Sequence, residues 1–154
     1  MKKLFVNVLV AVAMVSGMNA IPLEAQASAA TVVSEAGVLR NGQDHFFEVS
    51  VQADPLQRLS VQCVTFHELD SVAVFVDGVQ VEAKEDFGFE EFTLTFAEPI
   101  PTGKTIRVVM LNSRVQGKVL TGLAVPYRIF ANYPSLSNDE FPLGTAVVRS
   151  PAKR

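Results

Sequence analysis

The sequence predicts an all-β fold, an antiparallel two-sheet β-sandwich of about seven or eight strands in an immunoglobulin-like or Greek-key arrangement. Three observations carry this prediction. Apolar and polar residues alternate along most of the chain after residue 44, turn-forming residues separate the alternating runs, and no run there has a convincing helical period. Strands with one apolar face are buried when two sheets pack together. A closed barrel is the alternative that the pattern leaves open.

Eight candidate strands follow from this alternation. They are residues 47–51, 59–63, 72–76, 79–81, 92–96, 105–111, 123–130 and 146–148. The third is apolar on both faces, as a central strand would be. Asp77-Gly78 joins it to the fourth as a hairpin, because a type I′ turn needs positive φ at both central positions. Pro126 is a candidate interruption of the seventh strand.

The N-terminal 27 residues have the layout of a secretory signal peptide. Two lysines precede an apolar stretch at residues 4–15, and the small-x-small sequence Ala25-Gln26-Ala27 follows. We expect a helical leader that is cleaved after Ala27, with cleavage after Ala29 as the alternative. The apolar stretch is shorter than the roughly 20 residues that span a bilayer as a helix, so cleavage is favoured over a retained anchor.

The rest of the chain divides into three predicted parts. A lead-in segment (28–44) follows the signal peptide (1–27), then one sandwich domain (45–149) and a flexible tail (150–154). The 127 residues that remain after cleavage are enough for one domain with its own core. No later segment is apolar enough to span a membrane, and the expected location is extracytoplasmic: the periplasm, the thylakoid lumen or the medium.

Composition narrows the function classes. The leader carries two of the 13 basic and one of the 16 acidic residues, so the mature chain has a net charge of −4. A mildly acidic chain without basic clusters argues against nucleic acid and anionic lipid as partners. Because Cys63 is the only cysteine, the chain cannot form an internal disulfide. Cys63 is predicted to share a strand face with Leu59 and Val61. It is therefore predicted to be a buried, inert thiol.

Five short motifs occur in order between residues 38 and 149. They are His45-Phe46-Phe47-Glu48-Val49, Pro55-Leu56-Gln57-Arg58-Leu59, Leu94-Thr95-Phe96-Ala97-Glu98-Pro99-Ile100-Pro101-Thr102-Gly103, Tyr127-Arg128-Ile129-Phe130-Ala131 and Pro142-Leu143-Gly144-Thr145-Ala146. In these motifs the chain resembles a secreted cyanobacterial family, domain of unknown function 2808. The resemblance implies a small exported domain of a photosynthetic bacterium. It carries over no catalytic residue, because the family has no assigned activity.

Four residues have the side chains of a blue-copper site: His45, Cys63, His67 and Met110. In such sites the cysteine and second histidine lie near the chain's end, with the methionine shortly after. Here about half the chain follows His67, and Met110 lies in an apolar strand. The sequence therefore favours no copper site and predicts no cofactor.

An acid-rich segment offers weak candidate ligands for Ca²⁺. The carboxylates are Glu82, Glu85, Asp86, Glu90 and Glu91. Their spacing matches no EF-hand, and a lysine lies among them. The favoured interpretation is a solvated turn that keeps strand edges from pairing with other molecules.

Within the same segment, Phe87 and Phe89 are candidates for an exposed aromatic patch that contacts a partner or a sugar. The remaining late aromatics are expected in the core or as loop anchors: Tyr127, Phe130, Tyr133 and Phe141.

No hydrolase motif is present. In His67-Glu68-Leu69-Asp70, an extended backbone would turn the imidazole to one face and the two acids to the other.

These observations favour a non-catalytic extracytoplasmic binding or structural module of the cell envelope, whose partner is an unidentified envelope protein or polymer. Two alternatives stay open. One is an envelope metal-binding protein, with calcium at residues 82–91 or copper at the histidine–cysteine set. The other is a hydrolase whose catalytic residues come together only in the fold.

Overall fold

The computed structural model describes residues 32–52, 54–119 and 121–150, which form β-strands without a helix. The predicted signal peptide lies outside these residues, and no helix in the part described could span a membrane. The strands are β1 (Val32–Val38), β2 (His45–Ser50), β3 (Leu56–Gln62), β4 (His67–Glu68), β5 (Ser71–Val76), β6 (Val79–Val81), β7 (Ala83–Phe87), β8 (Glu91–Ile100), β9 (Thr105–Leu111), β10 (Arg114–Val115), β11 (Lys118–Val119), β12 (Ala124–Asn132) and β13 (Phe141–Arg149).

Ten strands form two five-stranded antiparallel sheets. Sheet A has the order β1-β2-β9-β5-β6 and sheet B the order β13-β12-β3-β8-β7. Alternate residues of both sheets point into one continuous apolar core, which confirms the predicted two-sheet sandwich. The largest buried core side chains include Phe47, Ile106 and Met110 from sheet A and Leu59, Phe92, Leu94 and Tyr127 from sheet B.

A third, small sheet lies at one end of the sandwich. Its order is β11-β10-β4, and each of its strands has two residues. Val115 pairs with His67 and Arg114 pairs with Glu68. This sheet braces the loop that follows β3.

The eight predicted strands correspond to β2, β3, β5, β6, β8, β9, β12 and β13. The predicted hairpin at Asp77-Gly78 is confirmed, with φ of 49° and 84°. Strand β12 continues through Pro126, which pairs with Val147 of β13. Pairing with β3 begins only at Arg128, so the missing N–H of the proline costs no ladder bond.

The predicted lead-in boundary was wrong. Strand β1 lies within residues 28–44 and pairs along β2, from Val33 opposite Val49 to Val38 opposite His45. Its weak alternation has a local cause at Gly37: a Cβ there would come within 3.0 Å of the Phe46 ring. A side chain at this position would require the ring to shift by a few tenths of an ångström, and glycine adds no apolar side chain to the alternation.

The predicted tail boundary also needs correction at its first residue. Ser150 is buried, its N–H donates to Leu123 O at 3.0 Å, and its carbonyl accepts from Gly122 N–H at 3.2 Å. Residue 150 therefore belongs to the folded body. Residues 151–154 lie outside the described part of the chain.

Candidate binding site

Three phenylalanines are exposed at the end of the sandwich where β3 and β7 finish. The exposed fractions are 54% for Phe66, 50% for Phe87 and 76% for Phe89. Phe66 and Phe89 meet edge to face with centroids 6.3 Å apart, and Phe87 lies 6.0 Å from the buried ring of Phe92. We call Phe66, Phe87 and Phe89 the aromatic end. Clustered apolar surface of this kind marks interaction sites.

The loop that carries Phe89 is held by backbone hydrogen bonds. Gly88 N–H donates to Glu91 O at 2.8 Å, which closes the β7–β8 hairpin. Cys63 N–H donates to Glu90 O at 2.7 Å, which fixes the hairpin to the end of β3. The exposed ring therefore projects from an ordered hairpin that is tied to the centre of sheet B.

Phe66 occupies a turn position that normally favours glycine. His67 N–H donates to Val64 O at 3.1 Å, so Phe66 is the third residue of a four-residue turn, and its φ is 60°. A left-handed conformation costs a residue with a side chain about 1–2 kcal/mol. Gln116 N–H donates to Phe66 O at 3.1 Å and stabilises this backbone. The fold thus holds a bulky aromatic residue in a strained conformation with its ring exposed.

A buried polar cluster lies behind the aromatic end. Tyr127 Oη is 2.7 Å from His45 Nδ1 and 3.0 Å from His67 Nε2. Ser113 also hydrogen-bonds to Tyr127, and its hydroxyl donates to Met110 O at 3.1 Å. His45 begins β2 in sheet A and Tyr127 lies in β12 of sheet B, so the cluster joins the two sheets.

Burial keeps this cluster uncharged. It lowers the pKa of His67 to about 4, with a further contribution from His45, and it lowers the pKa of His45 against the opposing effect of Asp44. Burial, followed by the proximity of Cys63, raises the pKa of the Tyr127 phenol. A phenol has one hydrogen, so at least one of the two imidazoles donates an N–H to it. At neutral pH the cluster is a set of neutral hydrogen bonds.

The structure brings only part of the copper-type set together. His45 and His67 meet at Tyr127, while Met110 is buried in β9 opposite His45 and Val72. Cys63 is half-buried, and burial raises its thiol pKa to about 12, which makes the thiol unreactive at neutral pH. Among the residues described, no three His, Cys, Asp or Glu side chains come together in a metal-binding arrangement.

The acid-rich segment, residues 82–91, is a turn only in part: residues 88–90 make the turn. Half of the segment is β7, an edge strand of sheet B that pairs with β8 from Ala83 opposite Phe96 to Phe87 opposite Phe92. Glu85 and Asp86 therefore point to opposite faces of the sheet. Both are exposed, and charged side chains on an edge strand hinder pairing with other chains.

The candidate hydrolase residues separate as their spacing predicts. His67 turns inward to Tyr127, whereas Asp70 Oδ1 accepts from Arg114 Nη2 at 2.8 Å. Glu68 lies 3.9 Å from Arg114 Nε. The imidazole and the acids do not form a catalytic pair.

Two shallow grooves flank the aromatic end. The smaller, about 260 Å³, is lined by Cys63, His67, Glu68, Leu69 and residues 87–92. The larger, about 650 Å³, shares Cys63 and residues 88–91 with it and extends to Pro126, Arg128 and Thr145. The predicted exposure of Phe87 and Phe89 thus coincides with concave surface.

Two residues of this region were missed by the sequence analysis. Phe66 reads as part of an extended run, and nothing local distinguishes its positive φ. Tyr127 was assigned to the core without a role for its hydroxyl. Its signal was the alternation of Val125, Tyr127 and Ile129, since an inward-facing tyrosine needs a hydrogen-bond partner.

Comparison with known proteins shows likeness in fold only. No family model and no curated protein matches the chain. The N-terminal domain of the Streptococcus gordonii adhesin Sgo0707 is 12% identical over 79% of this chain and 32% of that one, with a TM-score of 0.49. BcpA, the major pilin subunit of Bacillus cereus, in its D312A form, is 15% identical over 70% and 34%, with a TM-score of 0.45.

A cohesin module from a Clostridium perfringens family 33 glycoside hydrolase is 9% identical over 80% of this chain and 97% of that one, with a TM-score of 0.44. This chain spans about a third of the adhesin and pilin chains. The resemblance to family 2808 stays a prediction. The described chain is an all-β domain in which two five-stranded antiparallel sheets enclose one core.

Proposed function

We propose that the protein is a non-catalytic binding or structural module of the cell envelope, located outside the cytoplasm, and that it contacts its partner through the aromatic end. The observation that carries the proposal is the exposure of Phe66, Phe87 and Phe89 on a rigid hairpin and a strained turn. An exposed ring contributes nothing to the core, so the cost of the Phe66 conformation points to a role at the surface.

The chemistry of the neighbouring side chains supports a binding role over a catalytic one. The thiol of Cys63 is protonated at neutral pH, and His45 and His67 each have a ring nitrogen hydrogen-bonded to Tyr127. The signal-peptide layout of residues 1–27 supports the extracytoplasmic location.

Site-specific photocrosslinking in the native host tests the proposal. A photoreactive phenylalanine at position 89 should give one dominant adduct in the envelope fraction, and Phe66→Ser should reduce its yield. Leu136 is 58% exposed in the β12–β13 loop at the opposite end and serves as the matched control position. Equal adduct yields with the photoreactive residue at positions 89 and 136 would contradict the proposal. So would the absence of any adduct when it is placed at 66, 87 or 89.

A further inference from the structure

The smaller groove at the aromatic end is acidic and has no cation of its own. Glu68, Glu90 and Glu91 line it, and no lysine or arginine does. Within the described chain neither Glu90 nor Glu91 has an ion-pair partner. Glu68 is 3.9 Å from Arg114 Nε, but Arg114 binds Asp70 more closely, at 2.8 Å.

Other charged or titratable groups lie near this groove, but none of them adds a positive charge to its lining at neutral pH. His67 lines the groove and is neutral at pH 7, because burial lowers its pKa to about 4. Arg128 lines the larger groove together with Glu90 and Glu91, and Arg58 and Lys84 line a separate pocket with Glu91, but none of these three cations lines the smaller groove. The lining of the smaller groove therefore has three carboxylates and no basic side chain, an arrangement that favours an incoming cation.

The walls of the same groove are aromatic. Phe87, Phe89 and Phe92 line it, and Phe66 lies against Phe89 edge to face. The face of an aromatic ring attracts a cation, and the attraction increases where water is excluded. A cationic side chain with an apolar stem would thus contact rings along its length and carboxylates at its tip.

We propose that this groove receives a lysine or arginine side chain from a segment of the partner protein. The inference rests on the proposed function and names the chemistry of the partner at the same site. Charge complementarity selects the occupant, since an acidic segment would meet three carboxylates and an uncharged one would leave Glu90 and Glu91 without an ion-pair partner.

The groove also suits a single side chain in its dimensions. Its volume of about 260 Å³ is below the range of about 300–1,000 Å³ typical of small-molecule sites. The larger groove continues from it past Pro126 and can receive the residues that flank the cation.

Titration of the isotope-labelled protein with three matched peptides, followed by NMR, tests this inference. The capped peptides have the sequence Gly-Val-Ser-X-Ser-Val-Gly, with arginine, glutamine or glutamate at X. The arginine peptide should shift the amide signals of residues 64–67 and 88–91 saturably and bind about tenfold more tightly than the glutamine peptide. Raising the salt concentration from about 0.05 to about 0.5 M should weaken the binding of the arginine peptide.

Variants assign the effect to the groove. Phe89→Ala, and the double variant Glu90→Gln with Glu91→Gln, should each weaken the arginine peptide about fivefold or more. Leu136→Ala, which removes a comparably exposed side chain at the opposite end, should leave its affinity unchanged.

Four outcomes overturn the inference. They are equal affinity for the arginine and glutamine peptides, no saturable shift up to about 5 mM peptide, free arginine amide binding as tightly as the peptide, and Ca²⁺ shifting the same signals more strongly. A photocrosslinked partner whose contacting segment is acidic or uncharged would leave the binding role standing and remove only the cationic partner. Absence of any adduct at the aromatic end would remove both.

Discussion

Two turns at opposite ends of the sandwich are made by different kinds of residue. At the β5–β6 turn, the positive φ values belong to Asp77 and Gly78, for which this conformation is inexpensive. At the aromatic end, Phe66 takes a φ of 60° in the turn before β4. The first turn uses residues suited to its backbone, whereas the second keeps a large exposed ring despite the strain. The contrast supports a role for the exposed ring of Phe66.

The acidic side chains near these two turns also differ, in whether they have an ion-pair partner within the molecule. Asp77 accepts from Lys104 Nζ at 2.8 Å and from Thr105 N–H at 3.0 Å, and these hydrogen bonds lower the pKa of its carboxyl. The acid at the β5–β6 turn is used within the molecule, whereas Glu90 and Glu91 have no ion-pair partner among the described residues.

The largest expected effect concerns the cluster behind the aromatic end. Tyr127→Phe removes the hydroxyl that joins His45 to His67 and leaves two ring nitrogens without this partner. We expect the free energy of unfolding to fall by about 3 kcal/mol in urea denaturation, because buried polar groups that lose a partner keep their desolvation cost. Val79→Ala, at an exposed position of β6, should change it by less than about 0.5 kcal/mol. Similar losses for both variants would show that the cluster contributes little to stability.

Lowering the pH is expected to have an intermediate effect on the free energy of unfolding. The pKa of His67 is about 4 in the folded protein and 6.5 for an ordinary histidine. Between these values the unfolded chain binds a proton that the folded protein excludes, so stability falls as pH falls. We expect a loss of about 2 kcal/mol between pH 6.5 and 4, allowing for the half-buried position. His67→Gln should flatten the profile in this window, and an unchanged slope would assign the acid sensitivity to other groups.

The smallest effect tests the strain itself. Phe66→Gly should be more stable than Phe66→Ala by about 1 kcal/mol, the reverse of the usual order, because glycine adopts positive φ freely. Gly78→Ala should lose a similar amount at the other turn, where a Cβ would meet nothing within 4 Å. Chemical denaturation of the four proteins measures both differences. A more stable alanine variant at position 66 would show that its backbone is not strained and would remove that support for a surface role.

The sequence predicted the strands in which apolar and polar residues alternate clearly. It missed strands in which a glycine or a run of acidic residues interrupts the alternation. Eight strands and the β5–β6 turn follow from local pattern, while Gly37 and the acids of β7 conceal two further strands. Phe87 and Phe89 were predicted as a patch, but the position of Phe66 beside Phe89 depends on a loop conformation. The Tyr127 cluster joins residues 82 and 60 positions apart, and single-chain patterns do not encode such pairings.

The strand order has a kinetic consequence. In sheet A, β9 separates the β1–β2 hairpin from the β5–β6 hairpin, so neither can join the other until residues 105–111 are available. In sheet B, β3 pairs with β8 along one edge, but its other edge must wait for β12, whose partner residues lie about 70 positions later. Folds dominated by such distant pairings form in milliseconds to seconds, much more slowly than helical domains. The chain is therefore expected to emerge largely complete before either sheet can close, and to stay unfolded longer than a bundle of equal length.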